Sequence, residues 1–242
     1  MNNLNEKSVG EIVAEDYRTA SVFNNYKIDF CCNGNINFDE ICRKKNVDPE
    51  KLQNEIKAVI DNVQDHSIDY SKWNLDVLAD HIENTHHKYI QNRTPEIKTF
   101  LNKLCDVHGA KHPELLKVNE LFSNSAGDLA MHMRKEELIL FPYIRQMEKS
   151  RQNNGRIEPP QFGSVNNPIQ MMMAEHNAEG DRFRAIEELT NGYEVPSDGC
   201  TTYKVTLSML KEFQEDLHLH IHLENNILFP KAILMEDELL TK

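Results

Sequence analysis

Glycine and proline are scarce in this chain, nine of each among 242 residues, and tryptophan occurs once. So few chain breakers exclude collagen-like and low-complexity classes and leave room for long uninterrupted elements. Runs of alternating apolar and polar residues are short and few, which argues against sheets. No apolar run approaches the length of a membrane span. The opening MNNLNEKSVGE lacks the apolar segment of a secretory leader, so a cytoplasmic protein without a membrane association is expected. Positive charge is also in deficit: 27 Lys and Arg against 39 Asp and Glu give a formal net charge of −12. That excludes a general nucleic-acid binder, which needs a basic face. Five cysteines form no even framework of spacings, so thiols are expected rather than disulfides.

What the chain has instead is helical periodicity. Gly, Pro and small polar residues cluster at Cys32–Asn35, Val107–Pro113, Ser150–Pro168 and Asn191–Gly199. Between the clusters, apolar residues recur three and four apart. The spacing predicts four long helices over 75–105, 113–149, 168–190 and 200–236, each long enough to span a bundle. Ahead of them lies a unit of short helices with segments Val9 to Asn25, Phe38 to Lys45 and Pro49 to Ile60, Asp48-Pro49 marking a helix start. The polar stretch Asp61 to Ser71 reads as the linker. The expected architecture is all-α, with a small helical N-terminal domain (1–62) and a four-helix bundle (73–240). A unit of some sixty residues has a small core and is expected to lean on the bundle or on a second copy.

One phrase occurs twice: HMRKEELILFP from His132 to Pro142 and HIHLENNILFP from His220 to Pro230. In the last helix Tyr203, Leu210, Phe213, Leu217, His220, Glu224 and Leu228 fall on one stripe. The second helix repeats the pattern with Val118, Phe122, Leu129, His132, Glu136, Leu140 and Tyr143. Residues four apart project from one face, so His and Glu stand where the core wants apolar side chains. The third stripe carries His176 and the first His87. The four histidines are 45, 44 and 44 residues apart, which puts them at one level of an up-down bundle. A buried carboxylate without a partner costs several kcal/mol or changes its protonation. A layer of four His and two Glu calls for a pair of metal ions, with carboxylates bridging and imidazoles terminal. Taken singly, each histidine reads as a core residue bonded to backbone or water; six residues in register favour metal. Zinc prefers four-coordinate sites, and calcium and magnesium avoid so many imidazoles. Iron is therefore expected first, manganese second. Six ligands do not fill two octahedra, which leaves positions for an oxo or hydroxo bridge and a small molecule. The Ile-Leu-Phe part of the phrase reads as packing, and Pro142 and Pro230 as bends near helix ends.

These residues resemble the hemerythrin-like, HHE cation-binding family. The segment NNYKIDFCCNG, Asn24 to Gly34, further resembles the N-terminal domain found with this bundle in the Repair of Iron Centers family, the di-iron proteins of iron–sulfur cluster repair. Together the motifs cover nearly the whole chain. The resemblance implies a non-heme di-iron centre held by His87, His132, Glu136, His176, His220 and Glu224, with both Glu bridging. It also implies restoration of clusters damaged by nitric oxide or oxidants, through iron donation more than enzymatic turnover, with damaged iron–sulfur proteins as clients. His86 precedes His87 and either could face inward; the stripe and the family pattern choose His87. The family commonly reads CCGG where this chain has Asn33, which tolerates a left-handed backbone.

Cys31 and Cys32 read either as one buried thiol with an incidental neighbour or as a pair that handles iron, and the resemblance favours the second. Adjacent cysteines rarely bridge, because the ring strains the peptide. Cys42, Cys105 and Cys200 read as structural. His218 and His222 flank His220 on other faces, as surface groups or as support for ligands. Glu175 and Glu137 neighbour ligands and could hydrogen-bond them from behind. His66, His81, His108 and His112 read as surface residues. Two further functions compete: an oxygen or nitric-oxide carrier or sensor, and a di-iron nitric-oxide reductase. Four assigned histidines and the extra unit argue against simple carriage, and no flavin loop or dinucleotide fingerprint is present to supply a reductase with electrons. Self-association is expected through the small unit.

Overall fold

The computed structural model describes residues 4–61 and 68–241. Among them there is no strand, only one isolated bridge between Ser8 and Asn37. Most of the expected linker, 62–67, and with it His66, lies outside the described residues.

The small unit holds α1 (Val9–Glu15), α2 (Ala20–Asn25), α3 (Phe38–Lys45) and α4 (Pro49–Asp61). Local chemistry sets each boundary. Ser8 and Glu11 form a capping box: the Ser8 hydroxyl accepts from the Glu11 amide, and the Glu11 carboxylate accepts from the Ser8 amide at 2.8 Å. Asn37 caps α3, and Asn46 ends it in the left-handed region at φ 53°. Asp48 accepts from the Glu50 amide where Pro49 opens α4.

Three of the four bundle helices are longer than their longest α-segment. The first joins α5 (Leu75–His81) to α6 (Lys88–His108) through a π-helical stretch, Ile82–His87. The second joins α7 (Glu114–Lys135) to α8 (Phe141–Gln152) through Glu136–Leu140. The third is α9 (Asn166–Leu189), unbroken. The fourth joins α10 (Thr201–Leu223) to α11 (Phe229–Thr241) through Glu224–Leu228. Pro142 and Pro230 lie inside their helices, as expected, and neither ends its helix. Each follows a π stretch, and its helix continues to Gln152 or Thr241. Proline removes a hydrogen-bond donor, and a π stretch has already shifted the local bonding pattern, so the defect is absorbed where the helix is irregular. The helices pack in a ring, first on second, second on third, third on fourth and fourth on first.

The core is split in two. One apolar cluster combines Ile90, Leu101, Leu129, Phe183, Phe213 and Leu217 of the bundle with Val9, Phe23, Phe30 and Phe38 of the small unit. The other holds Leu78, Ile82, Leu140, Ile169, Met172 and Leu228. Along every bundle helix the polar residues singled out above lie between a residue of one cluster and a residue of the other.

Candidate metal centre

The layer between the clusters is dry. His87, Glu136, His220 and Glu224 are fully buried, His176 is 1% exposed and His132 3%. Two groups of converging ligand atoms form, His87 with His220 and His132 with His176, and both groups contain Glu136 and Glu224. Each carboxylate divides its oxygens between the two. Glu136 turns Oε2 towards His87 Nε2 at 3.4 Å and Oε1 towards His132 Nε2 at 3.2 Å. Glu224 turns Oε2 towards His176 Nε2 at 3.1 Å and Oε1 towards His220 Nε2 at 3.2 Å. All six residues of the repeated phrase and its two partner helices are therefore brought together.

These approaches are close without being hydrogen bonds. Both oxygens of Glu136 and of Glu224, His87 Nε2 and both nitrogens of His220 are buried with no hydrogen-bond partner. Native interiors rarely leave so many polar atoms unsatisfied in one place. The second pair of imidazoles carries the same message. His132 Nδ1 donates to Glu175 Oε2 at 2.8 Å, and His176 Nδ1 to Asn225 Oδ1 at 2.8 Å. With Nδ1 carrying the hydrogen, a neutral imidazole presents a bare lone pair at Nε2. The two Nε2 atoms face each other at 3.0 Å. Lone pairs aimed at one point, with carboxylate oxygens around them, are the donor set of a bound cation, so the residues fit a pair of metal ions.

The protonation of the layer answers the same need. Burial lowers the basicity of His132, but the Glu136, Glu175 and Glu224 carboxylates outweigh it and raise its pKa to about 10. Burial and the neighbouring Glu224 raise the Glu136 pKa, and His132 and His87 more than reverse that. Glu224 is pulled well below the carboxylate range by His220 and His176 despite its burial. Glu175 is held at about 2, first by its bond to His132.

Behind the imidazoles the support is uneven. Glu175 is shared between His132 and the Lys135 ammonium. Asn225, which donates to the Cys31 carbonyl at 3.2 Å, fixes His176. Glu137 accepts from His87 Nδ1 at 2.9 Å. His220 Nδ1 has nothing. Of these supports, Glu175 and Glu137 were legible as neighbours of ligands, and Asn225 was not.

His86, the alternative to His87 in sequence, is buried as well, 2% exposed, with Nδ1 donating to Asp216 Oδ1 at 2.9 Å, and it stands outside both converging groups. Several sequence expectations are corrected. His222 is 1% exposed, packed against Phe30 and Tyr17 of the small unit. His81, His108 and His112 are half-buried and pack edge-on against other rings. Cys200 is an exposed thiol, 3.2 Å from His108 Nε2, not a structural one. Asn33 is not left-handed; its amide donates to Asp29 Oδ2 at 2.8 Å.

Cys31 and Cys32 have sulfurs 3.7 Å apart and form a third, smaller group with Asp29. Asp29 Oδ1 accepts from both cysteine amides, at 3.1 and 2.9 Å. The hydrogen bond to Cys32 and then burial push the Cys31 thiol well above its ordinary range. Cys32 Sγ lies 3.4 Å from the carbonyl oxygen of His176. The thiol pair thus packs on the backbone of a centre residue without entering the centre.

A family model described as the hemerythrin HHE cation-binding domain matches residues 78–232. A domain of unknown function (DUF542) matches residues 5–60. The iron-sulfur cluster repair protein ScdA of Staphylococcus haemolyticus is 29% identical over 94% of this chain and 98% of its own length. The iron-sulfur cluster repair protein YtfE of Escherichia coli is 29% identical over 96% of this chain and 98% of its own length. A probable iron-sulfur cluster repair protein of Haemophilus influenzae is 27% identical over 94% of this chain and 97% of its own.

Proposed function

The chain belongs to the hemerythrin HHE cation-binding family, and from that premise we propose that it is a non-heme di-iron protein that restores damaged iron–sulfur clusters by giving up iron. Relatives named for cluster repair along almost their whole length support the reading. The observation that carries it is the layer in which both oxygens of Glu136 and of Glu224 lie buried and unpartnered between two sets of imidazoles.

His87 and His220 would hold one iron and His132 and His176 the other, with Glu136 and Glu224 serving both and an oxo or hydroxo bridge completing the pair. Bound iron supplies a redox-active Lewis acid with coordination positions open to a small molecule. The chain's own residues do the rest. The apolar clusters on both sides keep bulk water out, which strengthens every charge interaction within the layer. Glu175, Asn225 and Glu137 hold three of the imidazoles in the tautomer that leaves Nε2 free. The carboxylates that raise the His132 pKa make protons and metal compete for this side of the layer, so uptake would fall as pH falls.

As cargo, iron would pass to a client whose cluster has lost it. The clients would be iron–sulfur proteins damaged by nitric oxide or oxidants, in the cytoplasm. Cys31 and Cys32 would assist transfer as thiol ligands. Self-association would use the small unit. The test is metal analysis of anaerobically purified protein followed by mixing with a [4Fe–4S] enzyme damaged by nitric oxide. Two irons per chain and recovery of the client, with matching loss of iron from this protein, are expected. One zinc and no iron after iron-replete growth, or recovery without iron loss, defeats the reading.

A further inference from the structure

The two halves of the centre are not equivalent. In the His132/His176 half both imidazoles are fixed at Nδ1, and each support is itself anchored: Glu175 by Lys135, Asn225 by the Cys31 carbonyl. In the other half only His87 is fixed, by Glu137. His220 is fully buried with neither nitrogen bonded. Groups behind a metal-binding imidazole orient it and raise its basicity, and losing one costs about 10–100-fold in affinity. The His87/His220 half is the weaker one by construction.

Beside that half stands an imidazole that the centre does not use. His86 lies with its ring nearly parallel to that of His220, at 8° and 5.9 Å between centroids. Its Nδ1 hydrogen goes to Asp216, so Nε2 presents a lone pair, and that atom is buried without a partner. A carboxylate–imidazole pair with a free, dry Nε2 is what a metal-binding histidine looks like before it has metal. His81 follows, its ring edge-on to His86 at 5.6 Å, half-buried and in contact with the half-exposed Trp73. The row His220, His86, His81 runs from the dry layer to the surface. The thiol pair packs on the opposite, well-anchored half, against the His176 carbonyl.

From this we infer that the His87/His220 position is the exchangeable one and that His86, backed by Asp216, is the exchange ligand through which its metal enters and leaves. The inference rests on the di-iron reading and says which iron is cargo. A metal leaving a dry site cannot shed all its ligands at once, because the bare intermediate is as costly as any buried unpaired charge. His220, unfixed at Nδ1, can turn away while His86 Nε2 takes its place. One metal–nitrogen bond breaks and one forms; no proton or electron moves.

The experiment loads the full chain with two equivalents of Fe(II) under anaerobic conditions and follows removal by excess ferrous chelator. The inference expects two phases of one metal each. His86→Phe, which keeps a flat ring and removes the nitrogen, and Asp216→Asn should each slow the fast phase about tenfold and leave the slow phase alone. Asn225→Ala should quicken the slow phase about tenfold and leave the fast one alone. Thermal melts of each variant establish that it is folded, and Asp216→Asn carries the test if His86→Phe is not. Equal rates for both metals, or fast phases in His86→Phe and Asp216→Asn that match the parent, overturn the inference while leaving the di-iron reading intact. A His86→Phe chain that saturates with one metal overturns it too, since His86 is then a resident ligand. A parent chain that takes up fewer than two metals instead sinks the di-iron reading.

Discussion

Cys200 illustrates how far a single residue's chemistry depends on where its helix starts. It caps α10, so the amides of Thr202 and Tyr203 point at its sulfur, and His108 stands beside it; the amides, first Tyr203, and the imidazole lower the thiol to about 7. Cys31, buried and bonded to its neighbour, is moved the other way. A lowered thiol is reactive above its pKa and loses reactivity as pH falls through it. Brief iodoacetamide treatment between pH 6 and 9, read by peptide mass spectrometry, should label Cys200 first, half-maximally near pH 7, and spare Cys31. His108→Ala should move that midpoint upward; labelling of Cys31 before Cys200 would contradict both assignments. The candidate ligands make a second forecast. Because Glu224 turns one oxygen to each half, Glu224→Ala should loosen both metals, whereas His176→Ala should chiefly loosen one. Equal, small losses in both variants, measured as metal per chain after dialysis, would remove the bridging role. The candidate ligands were legible in sequence because polar residues broke an apolar stripe at matched intervals. Asn225, Asp216 and the burial of His222 were not, because their partners come from other helices or from the small unit, which a single-helix stripe cannot register.

At the scale of the element, the helix extents follow from periodicity and caps to within a few residues, and the π stretches do not. A π stretch admits one extra residue while the flanking helix continues, and a stripe of threes and fours absorbs that as ordinary scatter. The consequence is visible in the first bundle helix. The stripe offered a choice between His86 and His87, and the π stretch Ile82–His87 buries both. In the second and fourth helices the stretch begins at the glutamate itself, so it sets where each carboxylate points. Leu138, 69% exposed, sits within the second stretch. Deleting it should let Glu136–Leu140 close into regular α-helix with the downstream register kept. The far-ultraviolet circular dichroism should then be nearly that of the parent, while metal content falls by half or more. Full metal content in the deletion variant would show that the π geometry is incidental to the layer.

For the whole molecule, two sequence matches and a linker suggest two units, but the apolar core does not divide there. The residues of α1, α2 and α3 share a cluster with bundle residues, while the layer of His and Glu, not the linker, separates the two clusters. The seam is tight. Within the small unit Gly10 donates to the Gly34 carbonyl at 2.7 Å, and a Cβ on Gly34 would stand 2.4 Å from the Phe30 carbonyl oxygen, 3.0 Å from the Gly10 Cα and 2.7 Å from Asn226 Oδ1 of the fourth bundle helix. Asn226 reaches the Phe30 and Cys31 carbonyls from the fourth helix, at 3.2 and 3.3 Å. The backbone atoms of Phe30 and Gly10 cannot yield by rotating a side chain, so Gly34→Ala must shift the loop within the small unit, and with it the carbonyls that Asn226 of the bundle holds. Overpacking of this kind costs about 1–3 kcal/mol, and for a chain of this size each kcal/mol lowers the melting temperature by about 2–4 °C. If the small unit and the bundle fold as one cooperative body, Gly34→Ala should give a single transition moved down by several degrees, followed alike by tryptophan fluorescence from Trp73 at the bundle's start and by total helix content. The slow phase of metal removal should quicken as well, since the shifted loop carries the Cys31 carbonyl that holds Asn225 on His176. Two separate transitions, with only the smaller one moved and metal release unchanged, would mean that the units are energetically independent and that the small unit merely rests on the centre it covers.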